Sequence, residues 1–282
     1  MSVVTSNVDD PLRIFGSIWR LSCAVIAIAQ GVFIVLSDFK GRFSPSSIQW
    51  LVFDAVGTLI QPNPSVPVAY HSIASRYGSQ ISVDEIGSRF RRAFRQSETD
   101  QFPNGPAAGS HYVSSDSIEK ARWRWIVEEV VPDVNNIQQC FAELWDHFAR
   151  PSSWSVFDDV GSTLSALRKA GYRLVIASNF DSRLHSVCRG HEVLSAIEQS
   201  FVSSEMGYRK PAKEFYSSLI ARCGCPPNQI LMIGDDPEHD VAGPIAANMH
   251  AMLIDRKSTS YDTNSIRSLD RLLSTSVCLT AS

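Results

Sequence analysis

The chain has 282 residues, 44% of them hydrophobic and 20% charged, with 15 Gly and 14 Pro, which is ample for a packed core and excludes disorder, collagen-like repeats or linker-like composition as its main state. Its 26 Lys+Arg against 29 Asp+Glu give a net charge of −3, without the basic excess needed to neutralise nucleic-acid phosphates. The 6 cysteines, at 23, 140, 188, 223, 225 and 278, make neither a dense disulfide framework nor a CxxC zinc pattern and read as reduced structural thiols.

Residues 21–37, LSCAVIAIAQGVFIVLS, carry no charge. As a helix this run is about 25 Å long against a hydrocarbon core of about 30 Å, a marginal span. Extending it back to Ile14 brings in Arg20, and Arg13 and Arg20 ahead of an apolar run with Ala27-Ile28-Ala29 also resemble a signal peptide. The alternatives are a membrane anchor or signal, and a packed helix or a start codon placed too early. A cytoplasmic protein is the primary expectation, with membrane contact only if 21–37 is a real anchor. Residues 1–47 are thus set apart as an apolar extension.

From Gln49 the run QWLVFDAVGTLIQ is a buried-strand pattern that delivers Asp54 to a Gly57-Thr58 turn. The same pattern recurs where Gly171–Ala177 runs into Ser178-Asn179, Ser200–Val202 into Ser203, and Gln229–Ile233 into Gly234-Asp235-Asp236. Helical patterns lie between, over Asp158–Ala170, with acidic residues in its first turn, and over Lys213–Cys223. Alternating strands and helices predict an α/β, doubly wound parallel sheet covered on both faces, with ligands at the carboxyl ends of its strands.

An insertion of about 95 residues after the first strand is too long for a loop and predicts a domain of its own. Apolar residues at three- and four-residue spacing predict helices over Val68–Tyr77, Val83–Gln96, Ser117–Val131 and Ile137–Ala149, with Ser82 and Ser114 as N-caps. The resulting division is a core of 48–62 and 156–282 and a helical cap of 63–155. The loop from Phe102 to Pro106 interrupts the bundle and is free to descend toward the core.

A carboxylate at a strand end followed by a tight turn, as at Asp54, is a metal ligand, a nucleophile or a helix cap. Gly234-Asp235-Asp236-Pro237-Glu238-His239-Asp240 supplies a second acidic cluster at another strand end. Such carboxylates repel unless a hard divalent cation sits among them, and Mg²⁺ is the natural occupant. Ser178 and Asn179 offer a hydroxyl and an N–H to an anionic group. Lys210, in Gly-Tyr-Arg-Lys-Pro, supplies a cation to a carboxylate or phosphoryl oxygen. His71, His111, His147, His185, His191, His239 and His250 make no HxH or HExxH pair. Trp123 and Trp125 alternate within one helix, so one faces the bundle core and the other its rim. Arg91, Arg92 and Arg95 read as a solvated face or, for one of them, as a reach over the site to a substrate carboxylate, and Cys223-Gly224-Cys225 as a helix-end turn.

VFDAVGTL, IASN, GYRKP and GDDPEHD, in that order and spacing, resemble the four motifs of the haloacid dehalogenase superfamily. The cap's position after the first motif resembles the subgroup that contains phosphoglycolate-phosphatase-like and 2-haloacid-dehalogenase-like enzymes. The resemblance spans 48–256. It implies a Rossmann-like core, Asp54 as nucleophile forming an aspartyl intermediate, Ser178 and Asn179 binding the transferred group, and Lys210 steadying both. It also implies Mg²⁺ held by Asp54, the Val56 carbonyl and Asp235, with Asp236 or Asp240 helping to place it, and a small anionic metabolite as substrate. Val56 departs from the pattern, because phosphatases of the superfamily carry Asp there as general acid and base. The 2-haloacid dehalogenases also lack that Asp, yet work without Mg²⁺. Three outcomes stay open: a phosphatase, at full or weak activity, a 2-haloacid dehalogenase, and a non-catalytic or regulatory binding protein that keeps the fold.

Overall fold

The computed structural model describes residues 47–99, 102, 112–257 and 265–275, with the backbone of Ile26–Ala27 and Phe33–Val35. Those two short segments pair antiparallel as strands, a geometry at odds with a continuous helix over 21–37. The remainder of 1–46, including Arg13, Arg20 and the signal or anchor reading, lies outside the described residues. Among the described residues no helix is long and apolar enough to cross a membrane.

In chain order the elements are β1 (Trp50–Phe53), β2 (Ile60–Pro62), α1 (Val66–Arg76), α2 (Val83–Ser97), α3 (Asp116–Val130), α4 (Ile137–His147), β3 (Trp154–Val156), α5 (Val160–Lys169) and β4 (Arg173–Ser178). There follow α6 (Arg183–Arg189), β5 (Gln199–Val202), α7 (Ser203–Met206), α8 (Lys213–Cys223), β6 (Ile230–Gly234), a π-helical turn (Pro237–Ala242), α9 (Gly243–Ala246), β7 (His250–Ile254) and β8 (Ser265–Ile266). Six strands form one parallel sheet in the order β8-β7-β6-β1-β4-β5. All four residues of β1 are buried, as a central parallel strand covered on both faces requires. Leu51 and Phe53 face one layer with Leu164 and Leu167 of α5, while Trp50 and Val52 face the other with Phe215 and Leu219 of α8. This is the doubly wound arrangement the sequence predicts.

Between β2 and β3, which pair antiparallel with Ile60 opposite Val156, the chain forms four helices with an apolar core of their own, including Tyr70, Ile86, Ile126 and Leu144. Phe102 belongs to that core, packed on Trp125, so the described part of its loop turns into the bundle; 103–111 lie outside the described residues. Ser82 caps α2 by accepting from Glu85 N. The cap of α3 is Ser115, which accepts from Ile118 N, whereas Ser114 is turned inward to the buried Glu119 at 2.8 Å. The shift has a tertiary cause: Ser114 N donates to Gly207 O and Arg209 N to Tyr112 O, so residues 112–114 are stitched along 207–209 and Ser115 is the first residue free to cap.

Asp158 and Asp159 do not enter α5. Asp159 instead accepts from Arg256, Ser268 and Leu269 N, three donors that outweigh a favourable position at a helix N-terminus. Gly224 ends α8 with φ +65, the left-handed cap expected of Cys223-Gly224-Cys225. Burial pushes the Cys140 thiol up to about 11 and the Cys223 thiol up to about 12, the behaviour of inert structural cysteines.

Candidate active site

The register of the central strands builds the site. Phe53 is level with Ile176 on β4 and Ile233 on β6, so Asp54, the first residue past β1, lies at the carboxyl edge of the sheet between Ala177 and Gly234, the residues that follow on the neighbouring strands. Asp54 N donates to Ile233 O at 2.8 Å, which fixes the carboxylate on its strand end. The chain then turns through Gly57 at φ +91, a backbone conformation that glycine adopts without strain. A Cβ at Gly57 would collide with the Asp235 carboxylate, and one at Gly234 with Asp240. The two glycines make the space in which acidic side chains from two loops converge.

Lys210 reaches this space from the loop between α7 and α8. Only 2% exposed, its Nζ donates to Asp54 Oδ1 at 2.7 Å, Asp240 Oδ1 at 2.6 Å and Ala177 O at 3.0 Å, so all three ammonium protons are used. Burial by itself lowers a lysine's pKa, but the charges of Asp240 and Asp54 outweigh it and hold the ammonium above its ordinary value. Asn179 anchors the same loop: its Oδ1 accepts from Lys210 N at 2.8 Å and its Nδ2 donates to Lys210 O at 2.9 Å. Ser178, 3% exposed, ends β4 beside it.

Asp54, Asp235 and Asp240 each turn one carboxylate oxygen to within 4.8 Å of the others. Asp235 is exposed as a residue, yet its carboxylate lies over Gly57, and burial with the charges of Asp54 and Asp240 pushes it up to about 7. One ammonium among three carboxylates leaves the cluster short of positive charge, and its donors are all hard oxygens, so the residues fit a divalent cation such as Mg²⁺. Asp236 stands apart from the cluster. Its Oδ1 accepts from Glu238 N and His239 N, both at 2.8 Å, which makes it the N-cap of the π-helical turn. That turn is also held by Tyr216, whose hydroxyl donates to His239 O at 2.6 Å. Asp240 has both oxygens engaged, by Lys210 Nζ and by Asp236 N, which suits it to hold the lysine. The His239 ring lies 3.5 Å from the Asp236 carboxylate.

Val56 supplies no acid beside the carboxylates. It is half-buried and lines a cavity of about 240 Å³ between the sheet edge and the helices. Phe90 and Phe94 of α2 and Trp123 of α3 form the opposite wall. Trp125 packs in the bundle core while Trp123 faces the rim, the division expected of the pair. Sequence reasoning passed over Phe90, Phe94, Trp154 and Arg183. The signal for the first two was the four-residue spacing of the rings, hidden by the arginines around them; Arg91, Arg92 and Arg95 are exposed.

A family model described as haloacid dehalogenase-like hydrolase matches residues 48–248. The haloacid dehalogenase-like hydrolase domain-containing protein 3 of Danio rerio is 28% identical over 216 residues, 74% of this chain and 86% of that protein. The glyceraldehyde 3-phosphate phosphatase of Methanothermobacter thermautotrophicus is 27% identical over 107 residues, 38% of this chain and 47% of that one. Among solved structures, a dehalogenase superposes with a TM-score of 0.61 at 18% identity, covering 80% of this chain and 96% of its own.

Proposed function

The chain belongs to the haloacid dehalogenase-like hydrolases, and from that premise we propose that it is a phosphate-ester hydrolase acting through Asp54. The observation that carries the reading is the group of Asp54, Asp235 and Asp240 around one buried lysine. A halide leaves carbon without help, whereas a phosphoryl group brings negative charge that a cation-deficient carboxylate nest would repel unless a metal were bound. Mg²⁺ held by Asp54 and Asp235, with the Val56 carbonyl, would neutralise that charge. The phosphatase relative is consistent with the same reading.

In this reading an Asp54 carboxylate oxygen attacks phosphorus and the ester P–O bond breaks, its electron pair leaving with the alcohol oxygen. Water then attacks the aspartyl phosphate, releasing inorganic phosphate and restoring Asp54. Lys210 screens Asp54 and orients it; Ser178 and the backbone beside it face the transferred group. The leaving oxygen takes its proton from water, because Val56 has none to give. General acid help is typically worth about 10²–10⁴-fold, so esters with acidic leaving groups are favoured.

The test is turnover of p-nitrophenyl phosphate by the full chain with Mg²⁺, compared with the same protein after chelation and with Asp54→Asn. Mg²⁺-dependent hydrolysis abolished in Asp54→Asn supports the reading. No hydrolysis under any condition, or hydrolysis that survives Asp54→Asn, overturns it. A second reading, a 2-haloacid dehalogenase, is favoured by Val56 alone; chloride release from 2-chloropropionate would select it.

A further inference from the structure

Resting on the phosphatase reading, we propose that the ester's leaving group is an uncharged aryl or enol-type group seated in the cavity behind Val56. The cavity measures about 240 Å³, and one of about 150 Å³ is enough to hold a benzene ring. Its described walls are almost wholly apolar: Phe90, Phe94 and Trp123 from the helices, Val56, Trp154 and Phe180 from the sheet side. The rings of Phe90 and Trp123 lie near parallel at 24°, with centroids 6.3 Å apart, so the wall they share is a stacked aromatic pair.

The charge of the cavity decides against a carboxylate-bearing substrate. Arg183 is the one charged group among its described lining residues, and it is already neutralised. Its Nε and Nη2 donate to the two oxygens of Asp181 at 2.7 Å each, Nη1 donates to Trp145 O at 3.3 Å, and the guanidinium lies 3.5 Å from the Trp145 ring centroid. Asp181 is 1% exposed. A guest carboxylate would have to displace this buried pair or remain unpaired among aromatic rings, and either is costly. Asn179 adds little polarity, since its amide is turned to the Lys210 backbone.

Val56 connects the two requirements. The side chain that cannot protonate a leaving oxygen is the one that makes the cavity floor apolar. An aryl alcohol, with a pKa of about 10 against roughly 15–16 for water-like hydroxyls, leaves without protonation. Substrate shape and leaving-group chemistry therefore converge on an aryl or enol ester.

The probes are benzylphosphonate and phosphonoacetate, non-hydrolysable monophosphonates that differ in carrying a phenyl ring or a carboxylate. Binding to the full chain with Mg²⁺ is followed by tryptophan fluorescence, since Trp123 and Trp154 line the cavity. Burial of one ring predicts benzylphosphonate binding about 10- to 100-fold tighter. Phe94→Ala should erase most of that margin and leave phosphonoacetate within about twofold, whereas Trp123→Lys, which adds a free cation, should reverse the order. Equal affinities, or tighter phosphonoacetate, in the unmodified chain overturn the inference, as does a margin that both variants leave intact. Failure of the phosphatase reading is separately visible: benzylphosphonate then still binds tighter, but neither phenyl phosphate nor any other ester is turned over.

Discussion

Lys210→Met removes the ammonium and keeps the length of the side chain. In the native site that ammonium lies 2.7 Å from Asp54 and 2.6 Å from Asp240. At an effective dielectric of about 20, each contact carries on the order of 6 kcal/mol of gross attraction. Desolvating the ions takes back several kcal/mol each, and deletion of one partner of a buried pair costs about 3–5 kcal/mol net. With roughly 2–4 °C of Tm per kcal/mol for a domain of this size, Tm should fall by about 6–20 °C in metal-free buffer near pH 8. The sign of the pH dependence is also fixed. The variant's carboxylates, left to repel one another, have raised pKa values, so the variant regains stability as pH falls and they protonate. The lysine of the native protein stays charged throughout that range because its pKa is held above the ordinary value, so the gap should shrink toward pH 5. Calorimetry at the two pH values reads both effects. A Tm within about 2 °C of the native protein near pH 8, or a gap that does not narrow, would refute the electrostatic account.

In metal-free protein the Asp235 carboxyl, pushed from 3.8 up to about 7, binds its proton more tightly folded than unfolded, so it lowers stability as pH rises through that window. Asp235→Asn should therefore melt above the native chain near pH 8 and level with it near pH 5, with Mg²⁺ reversing the order at the higher pH. Val56→Asp should raise turnover of an alkyl phosphate by at least about tenfold and weaken benzylphosphonate binding; no gain in steady-state rate would count against the leaving-group argument. Asp236→Ala should cost about 1 kcal/mol in denaturant unfolding by loss of an N-cap while leaving the Mg²⁺ concentration dependence of activity unchanged, whereas a large shift would make it a ligand.

The sheet edge was legible because buried parallel strands are plain apolar runs, and the first polar residues past three of them fall at that edge whichever way the loop then turns. Asp54, Ser178 and Asp235 were found in this way. The choice between Asp236 and Asp240 was not, since four acids fall within GDDPEHD and only the π-helical turn decides that Asp236 caps while Asp240 faces Lys210. Ser114 and Ser115 are equivalent caps by type; their roles are separated by a pairing to residues 207–209, far along the chain. The aromatic cavity was hidden for the same reason. Phe94, Trp123 and Val56 come from three elements, and no local pattern announces their meeting.

The stitch between 112–114 and 207–209 bears on how this chain can be recombined. Ser114 N and Arg209 N both depend on carbonyls across it, and Arg209 also donates to Glu98 at the end of α2. Arg209 immediately precedes Lys210, so the backbone that presents the lysine is shared with the inserted helices. A chimera that replaced 63–155 with a relative's helices and kept the rest would leave those backbone groups without their partners one residue from Lys210. The exchangeable unit is therefore discontinuous: the helices and the Gly207–Lys210 loop have to be swapped together.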